Sequence, residues 1–212
     1  LHGVEGKSSV DRYYAIGLTY ANGPLNLAAV VDQTNFSTTK WNGVDWGNPV
    51  DDALTVTVGG NYDFQVVKLY AGAQYFDNAD LNSIDNIFSK DFALSPAQTE
   101  RFQVKGYGLT IGADIPAAGG TFKVATSYLD GTIDKVNGWD MATAIGATFG
   151  EIDISRWNTS AGYLYSLSKR TSLYGVASYS YQTVKGQKDF NGYSLDVAPT
   201  VIEVAAGIVH KF

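Results

Sequence analysis

Apolar side chains recur on every second residue along most of this chain, and nothing else in the sequence restricts the fold so tightly. In "RYYAIGLTY", Tyr14, Ile16, Leu18 and Tyr20 share one phase, while Tyr13, Ala15, Gly17 and Thr19 share the other. Successive side chains of a strand leave opposite faces of the sheet, so a period of two is the repeat of a β-strand and not of a helix. The same alternation runs through "ALTVTVGGNY", "QVVKLYAGAQYF", "GYGLTIGADIP", "TFKVATSY", "WNTSAGYLYSLS" and "TSLYGVASYSYQ". It is weaker in "PLNLAAVVDQTNF" at 24–36 and clear again in the closing "VIEVAAGIVHKF". The runs predict nine strands of roughly 9 to 13 residues, whereas strands of soluble domains centre on about 5 or 6.

The connections alternate as well. "ANGP" at 21–24, "DF" at 63–64, "PAAGG" at 116–120 and "SKRT" at 168–171 are short and built from turn residues. Long connections lie between them, near 37–51, 79–100, 132–154 and 186–198. All five prolines fall at turns, loops or strand starts, where a missing N–H costs no ladder bond. Strict alternation gathers the short turns at one end of the sheet and the long loops at the other, which is an up-and-down meander. "WDMATAIGATF" at 139–149 is a competing tenth strand that would make a small complete barrel and break this alternation.

The chemistry of the two phases decides the surroundings. A soluble barrel or sandwich turns its apolar phase inward and covers the outside with charge. Here the second phase is mostly Gly, Ser, Thr, Asn and Ala, and tyrosines collect toward the run ends, as at Tyr62, Tyr75, Tyr163, Tyr165, Tyr179 and Tyr181. Tyrosine at the margins of an apolar band suits a membrane interface, where the ring is half buried and the hydroxyl stays wet. Tilted strands of about 9–11 residues are what a bilayer requires, and a closed barrel satisfies every backbone group without water. The expected fold is therefore all-β, a transmembrane antiparallel up-and-down barrel in one domain spanning 1–212. A soluble barrel with an apolar interior, holding an apolar ligand, is the alternative.

Composition removes other classes. There is no cysteine, hence no disulfide framework, thiolate metal site or cysteine nucleophile. No run of 18 apolar residues exists, so no transmembrane helix is expected. The net charge of −6 argues against nucleic acid as a partner. More than half of the acidic residues fall in the long connections, whereas most Lys and Arg lie elsewhere, which leaves one rim acidic. "LHGVEGKSSV" has no charged start, apolar core or cleavage site, and is expected to open a mature or truncated chain.

Motifs for chemistry are sparse. "GKS" at 6–8 lacks the glycine that a phosphate loop places five residues before Gly6, where Leu1 stands. His2 and His210 sit at opposite ends, too few and too far apart for a triad or a zinc site. "DNADLNSID" brings together Asp77, Asp80 and Asp85, a weak Ca²⁺ candidate whose spacing is not that of an EF-hand; an ordinary acidic loop is the plainer reading. "NFS" and "NTS" match a glycosylation sequon that carries little meaning here. No cofactor is expected. The pore-lining candidates are Lys68, Lys123, Glu203 and Lys211, which fall in the polar phase, with Arg101, Lys105 and Arg156 beside them. The phase slips in "RFQVKGYG", at a bulge expected near Gly106.

The final strand ending in phenylalanine ("GIVHKF"), the "YSLSKRTSLYGVASY" hairpin and the "IPAAGGTFKVATSYLDG" hairpin resemble the last strands of Gram-negative general porins, nearest the β-proteobacterial and neisserial type. The resemblance implies a sixteen-stranded, trimeric outer-membrane channel for passive diffusion of ions and small hydrophilic solutes, with no catalysis. It implies lipid bilayer and lipopolysaccharide as surroundings, and Phe212 as the signal read by the outer-membrane assembly machinery. Nine strands is an odd count where bacterial single-chain barrels are even. The expectation is thus that about seven N-terminal strands, with the inward-folded constriction loop, are absent from this sequence. A complete small barrel acting as an anchor or adhesin is the other reading.

Overall fold

Thirteen strands and no helix make up the described residues. The structure is a computed structural model and describes residues 12–35, 38–41, 44–49, 51–80, 102–136, 139–140, 151–186 and 196–211. Nine strands are long: β1 (Arg12–Asn22), β2 (Leu25–Asn35), β5 (Ala53–Asp63), β6 (Lys68–Asp80), β7 (Phe102–Ala117), β8 (Gly120–Val136), β10 (Ile152–Ser166), β11 (Thr171–Gly186) and β13 (Thr200–His210). Each pairs antiparallel with the next in chain order, so the expected meander is what forms. Four short strands decorate the long-loop end. β3 (Thr38–Trp41) and β4 (Val44–Pro49) make a separate hairpin, β9 (Trp139–Asp140) extends beside β8, and β12 (Asp196–Val197) beside β11.

The short turns explain their own sequences. At Gly23–Pro24 the glycine takes φ 55°, and at Ala118–Gly119 both residues are left-handed, φ 50° and 79°. Two-residue hairpins with positive φ match the right-handed twist of the flanking strands. Ser168 holds its turn locally, its hydroxyl accepting from the N–H groups of Arg170 and Thr171 at 3.2 and 3.0 Å. The "DF" turn is longer than expected. Phe64 to Val67 form it, Gln65 sits at φ 70°, and the Phe64 N–H donates to the Val67 carbonyl at 2.9 Å. The strand expected from Gln65 therefore starts at Lys68.

Several strands outrun their alternation. β7, β8, β10 and β11 contain 16, 17, 15 and 16 residues, and β8 and β10 reach into the connection expected at 132–154. Their long-loop ends lose the period because there both faces carry mixed residues, while backbone pairing continues regardless. Of the competing tenth strand at 139–149, Trp139 and Asp140 form β9, and 141–149 lie outside the described residues. The expected bulge is real but shifted, with the β6–β7 register slipping between Phe76 and Ala79 and the β7–β8 register between Gln103 and Val104. Among the described residues β1 and β13 each pair on one side only, and since the meander is odd they run in the same direction.

Candidate channel-lining site

Cross-strand register carries one phase continuously over all nine long strands. Starting from Leu18, pairing leads through Ala29, Val58, Ala73, Leu109, Tyr128, Trp157 and Tyr181 to Thr200, so these residues share a face. Apolar residues dominate the middle of this face and lie open to the surroundings: Ile16 and Leu18 are 73% and 76% exposed, Ile111 61%, Val204 78%. Aromatic residues mark its two ends. Toward the long loops stand Tyr75, Tyr107, Tyr128 and Trp157, with ring centroids 6.5 Å apart for Tyr107–Tyr128 and 5.9 Å for Tyr128–Trp157. Toward the short turns stand Tyr62, packed on Phe64 at 4.4 Å, and the stacked pair Tyr163 and Tyr165. The Tyr163 hydroxyl reaches the Ala117 and Ala118 carbonyls at 2.9 Å each, tying a ring of this girdle to the hairpin turn. Polar atoms on the apolar face bond to one another: Trp157 Nε1 donates to Thr159 Oγ1 at 2.9 Å, and Thr159 meets Thr126 at 2.9 Å. Such internal pairing is what hydrocarbon demands of a polar group. Two aromatic girdles around an exposed apolar band are the outer surface of a membrane barrel.

The opposite face is the candidate lining. Its polar groups form a mesh, with Asn26 bonded to Asn61 (3.2 Å), Gln74 to Thr57 (3.0 Å), Asn158 to Ser180 (2.5 Å) and Ser178 to Glu203 (3.4 Å). Two concavities of about 420 and 540 Å³ lie along it. Near the short turns the register places Asp63, Lys68, Asp114 and Lys123 in one row across four adjacent strands. Charge alternates along this row. Lys123 Nζ donates to Asp114 Oδ2 at 2.5 Å, the Tyr70 hydroxyl donates to the same oxygen at 3.0 Å, and Lys68 Nζ stands 5.4 Å from the centre of the Tyr70 ring. The Lys123 side chain is about half exposed. No sequence pattern indicated Asp114 or Tyr70, because cross-strand partners become visible only when register is known.

The sequence candidates separate on this geometry. Lys68, Lys123, Arg156 and Glu203 lie on the polar face, Arg156 beside the 540 Å³ concavity and Glu203 paired in register with Ser178. Lys211 follows β13 in the same phase, its N–H donating to the Arg170 carbonyl at 2.8 Å. Lys105 is corrected: it pairs with Thr132, shares the phase of Tyr107 and approaches Asp77 at 3.9 Å, which puts it on the outer face beyond the girdle. The extra residues of both bulges lie on β6 and β8, so β7 keeps its pleat through Gly106 and the phase slip expected there does not carry Lys105 to the polar face. Asp77 is engaged by Lys105, Asp80 ends β6, and Asp85, Arg101 and Phe212 lie outside the described residues. His210 bonds Thr171 at 2.9 Å, a contact across the β11–β13 ladder.

One part of the polar face is not polar. Near the long-loop end Phe76, Ile154 and Val184 fall in one row with Gly106 and Gly131, and Val104 and Ile133 lie in the next. All five apolar side chains are buried. Alternation gave no sign of this cluster because it separates faces without saying what lies above them.

Comparison with known proteins agrees with this geometry. Residues 2–187 match the Gram-negative porin family. The chain belongs to that family. It is 30% identical over 210 residues to an outer membrane porin protein of Bordetella pertussis, an alignment covering 98% of this chain and 48% of that protein. The fold matches the anion-selective porin from Comamonas acidovorans with a TM-score of 0.59 and 23% identity, over 98% of this chain and 51% of that one. The chain thus spans about half the length of these two porins. Membership in the porin family points to a channel and away from an enzyme.

Proposed function

We propose that this chain forms an arc of the wall of a water-filled outer-membrane channel, through which ions and small hydrophilic solutes diffuse down their gradients. The observation that carries the reading is the unbroken division of faces across nine register-paired strands: apolar and girdled outside, hydrogen-bonded and charged inside. The wall is compatible with lipid because its backbone is paired strand to strand, and the lumen is compatible with water because its side chains are donors and acceptors. Outer-membrane placement follows from the porin family and from the outer membrane porin of Bordetella. β1 and β13 run in the same direction, so an antiparallel closure needs an odd number of further strands. About seven upstream strands in the same polypeptide supply them and complete an even barrel. In the assembled protein the surroundings are lipopolysaccharide and bilayer lipid, the oligomer is a homotrimer, and Phe212 is the assembly signal. Lys68, Lys123, Arg156, Glu203 and Lys211 line the pore.

Planar-bilayer recording on the protein isolated from outer membranes tests the channel. Stable step conductance in salt solution is expected. A narrow anchor or adhesin would give little or none, and solubility without detergent would overturn the membrane reading outright.

A further inference from the structure

The concavity of about 420 Å³ near the short turns contains more than a wall for diffusion requires. Tyr174 lies on one side of it, paired in register with Gly207. A Cβ at Gly207 would stand 2.7 Å from the Tyr174 hydroxyl and 2.8 Å from its Cε1 and Cζ, so the ring lies flat over the glycine. The hydroxyl end of the ring therefore covers the wall at Gly207, and Tyr174 as a whole stays 38% exposed on the polar face. Across the concavity stands the Asp114–Lys123 pair, with Tyr70 on the same carboxylate oxygen. Gly112 and Gly162 contribute no side chain to the floor between them, which keeps the space open.

From this arrangement we infer a weak binding subsite for small, neutral, polyhydroxylated solutes of the sugar class. The inference rests on the polar face lining an aqueous lumen. A pyranose has an apolar C–H face that stacks on an exposed aromatic ring, and neighbouring hydroxyls that each donate and accept. Asp114 keeps free lone pairs after receiving Lys123 and Tyr70, and Lys123 keeps two donors after engaging Asp114, so adjacent hydroxyls can bridge the pair without breaking it. Charge selects for neutrality: the Asp63–Lys68–Asp114–Lys123 row sums to zero and offers a carboxylate solute no net attraction. The size is adequate, since ligand pockets begin at about 300 Å³. Affinity must be low, because a site that passes a solute has to release it.

Two measurements on the detergent-solubilised full-length protein test the inference. Glucose and sucrose titrated into single channels should reduce the open current saturably in the millimolar range, while gluconate shows no tighter half-point. Tyr174→Ala should raise the half-saturating concentration about tenfold, the amount one lost ring contact represents, and Tyr174→Phe should restore it. Asp114→Asn combined with Lys123→Gln keeps the row neutral and should also weaken saturation. A purely linear decline with sugar, identical in wild type and Tyr174→Ala, overturns the subsite while leaving the channel intact. If no channel opens, the porin reading fails; calorimetric titration of glucose against the same protein then decides the subsite, with heat lost in Tyr174→Ala supporting it and absence of heat in wild type ending it.

Discussion

Glycine and lysine act at the residue scale in opposite ways, one by what it leaves out and the other by what it adds. Gly106 is closely confined: a Cβ there would collide with the Asp130 carbonyl oxygen and stand 2.6 Å from the Gly131 Cα, both backbone atoms that cannot swing away. Gly131 beneath it would meet Val104 Cγ1 at 3.0 Å. The buried Phe76 row is thus built on two missing side chains. Gly106→Val should force the β7 and β8 backbones apart and cost about 1–3 kcal/mol or more, as overpacking does. The expected readout is a lower temperature for loss of the compact band on unheated gels, whereas Gly175→Val, with nothing within 4 Å of its Cβ position, should leave that temperature nearly unchanged. On the proposed reading lysine sets the selectivity. Lys123→Glu would set two carboxylates where one exposed ion pair now stands, so the anion-to-cation permeability ratio, read from reversal potential in a salt gradient, should fall. Lys68→Glu should move the ratio in the same direction. Lys105→Glu should not move it, since Lys105 is on the outer face.

At the scale of a strand the position along its axis matters as much as the face. On β7, Ile111 is near the centre of the apolar band and Ile115 is two outward-facing positions closer to the short turn, in register with Phe122. An arginine at the bilayer midplane of a barrel costs about 2–4 kcal/mol and near the interface about 0–1. Ile111→Arg should therefore lower folding stability in lipid vesicles, measured by urea titration, by several times what Ile115→Arg does. Equal costs would place the band wrongly. Most of this element was legible beforehand, because in "GYGLTIGADIP" each outward residue is apolar or aromatic and each inward one up to Asp114 is Gly, Thr or Asp. What escaped was the stretch from Phe102 to Gly106. There β6 and β8 each carry an extra residue opposite β7, Phe76 and Val104 turn apolar side chains to the polar face, and Lys105 stays in the phase of Tyr107. A bulge on a neighbouring strand shifts cross-strand partners without changing the phase of the strand that has no inserted residue, and a sequence does not say which strand carries it. The Asp114–Lys123–Tyr70 cluster escaped for a different reason. Its members are 44 and 9 positions apart in sequence, and only pairing of β6 with β7 and β7 with β8 brings them to one oxygen.

For the molecule as a whole the governing fact is that each edge of the sheet has backbone donors and acceptors facing away from it. β1 and β13 are the most exposed long strands, and among the described residues neither has a partner on its outer side. Unpaired backbone in hydrocarbon costs several kcal/mol per group, and eleven residues on each edge multiply that cost far beyond what a folded domain can absorb. Pairing β13 to β1 directly does not solve it, because the two run parallel while every other ladder here is antiparallel. A second copy of this sheet in the same membrane orientation brings the same parallel mismatch to both seams. An odd set of further strands removes it at both edges together, and the Bordetella and Comamonas porins, of which this chain spans 48% and 51%, are long enough to contain one. The native polypeptide, taken from outer membranes and weighed intact by mass spectrometry, should therefore have roughly twice the 22.8 kDa of these 212 residues. A mass of 22.8 kDa with full single-channel conductance would require a barrel closed through parallel seams, and the closure argued here would be wrong.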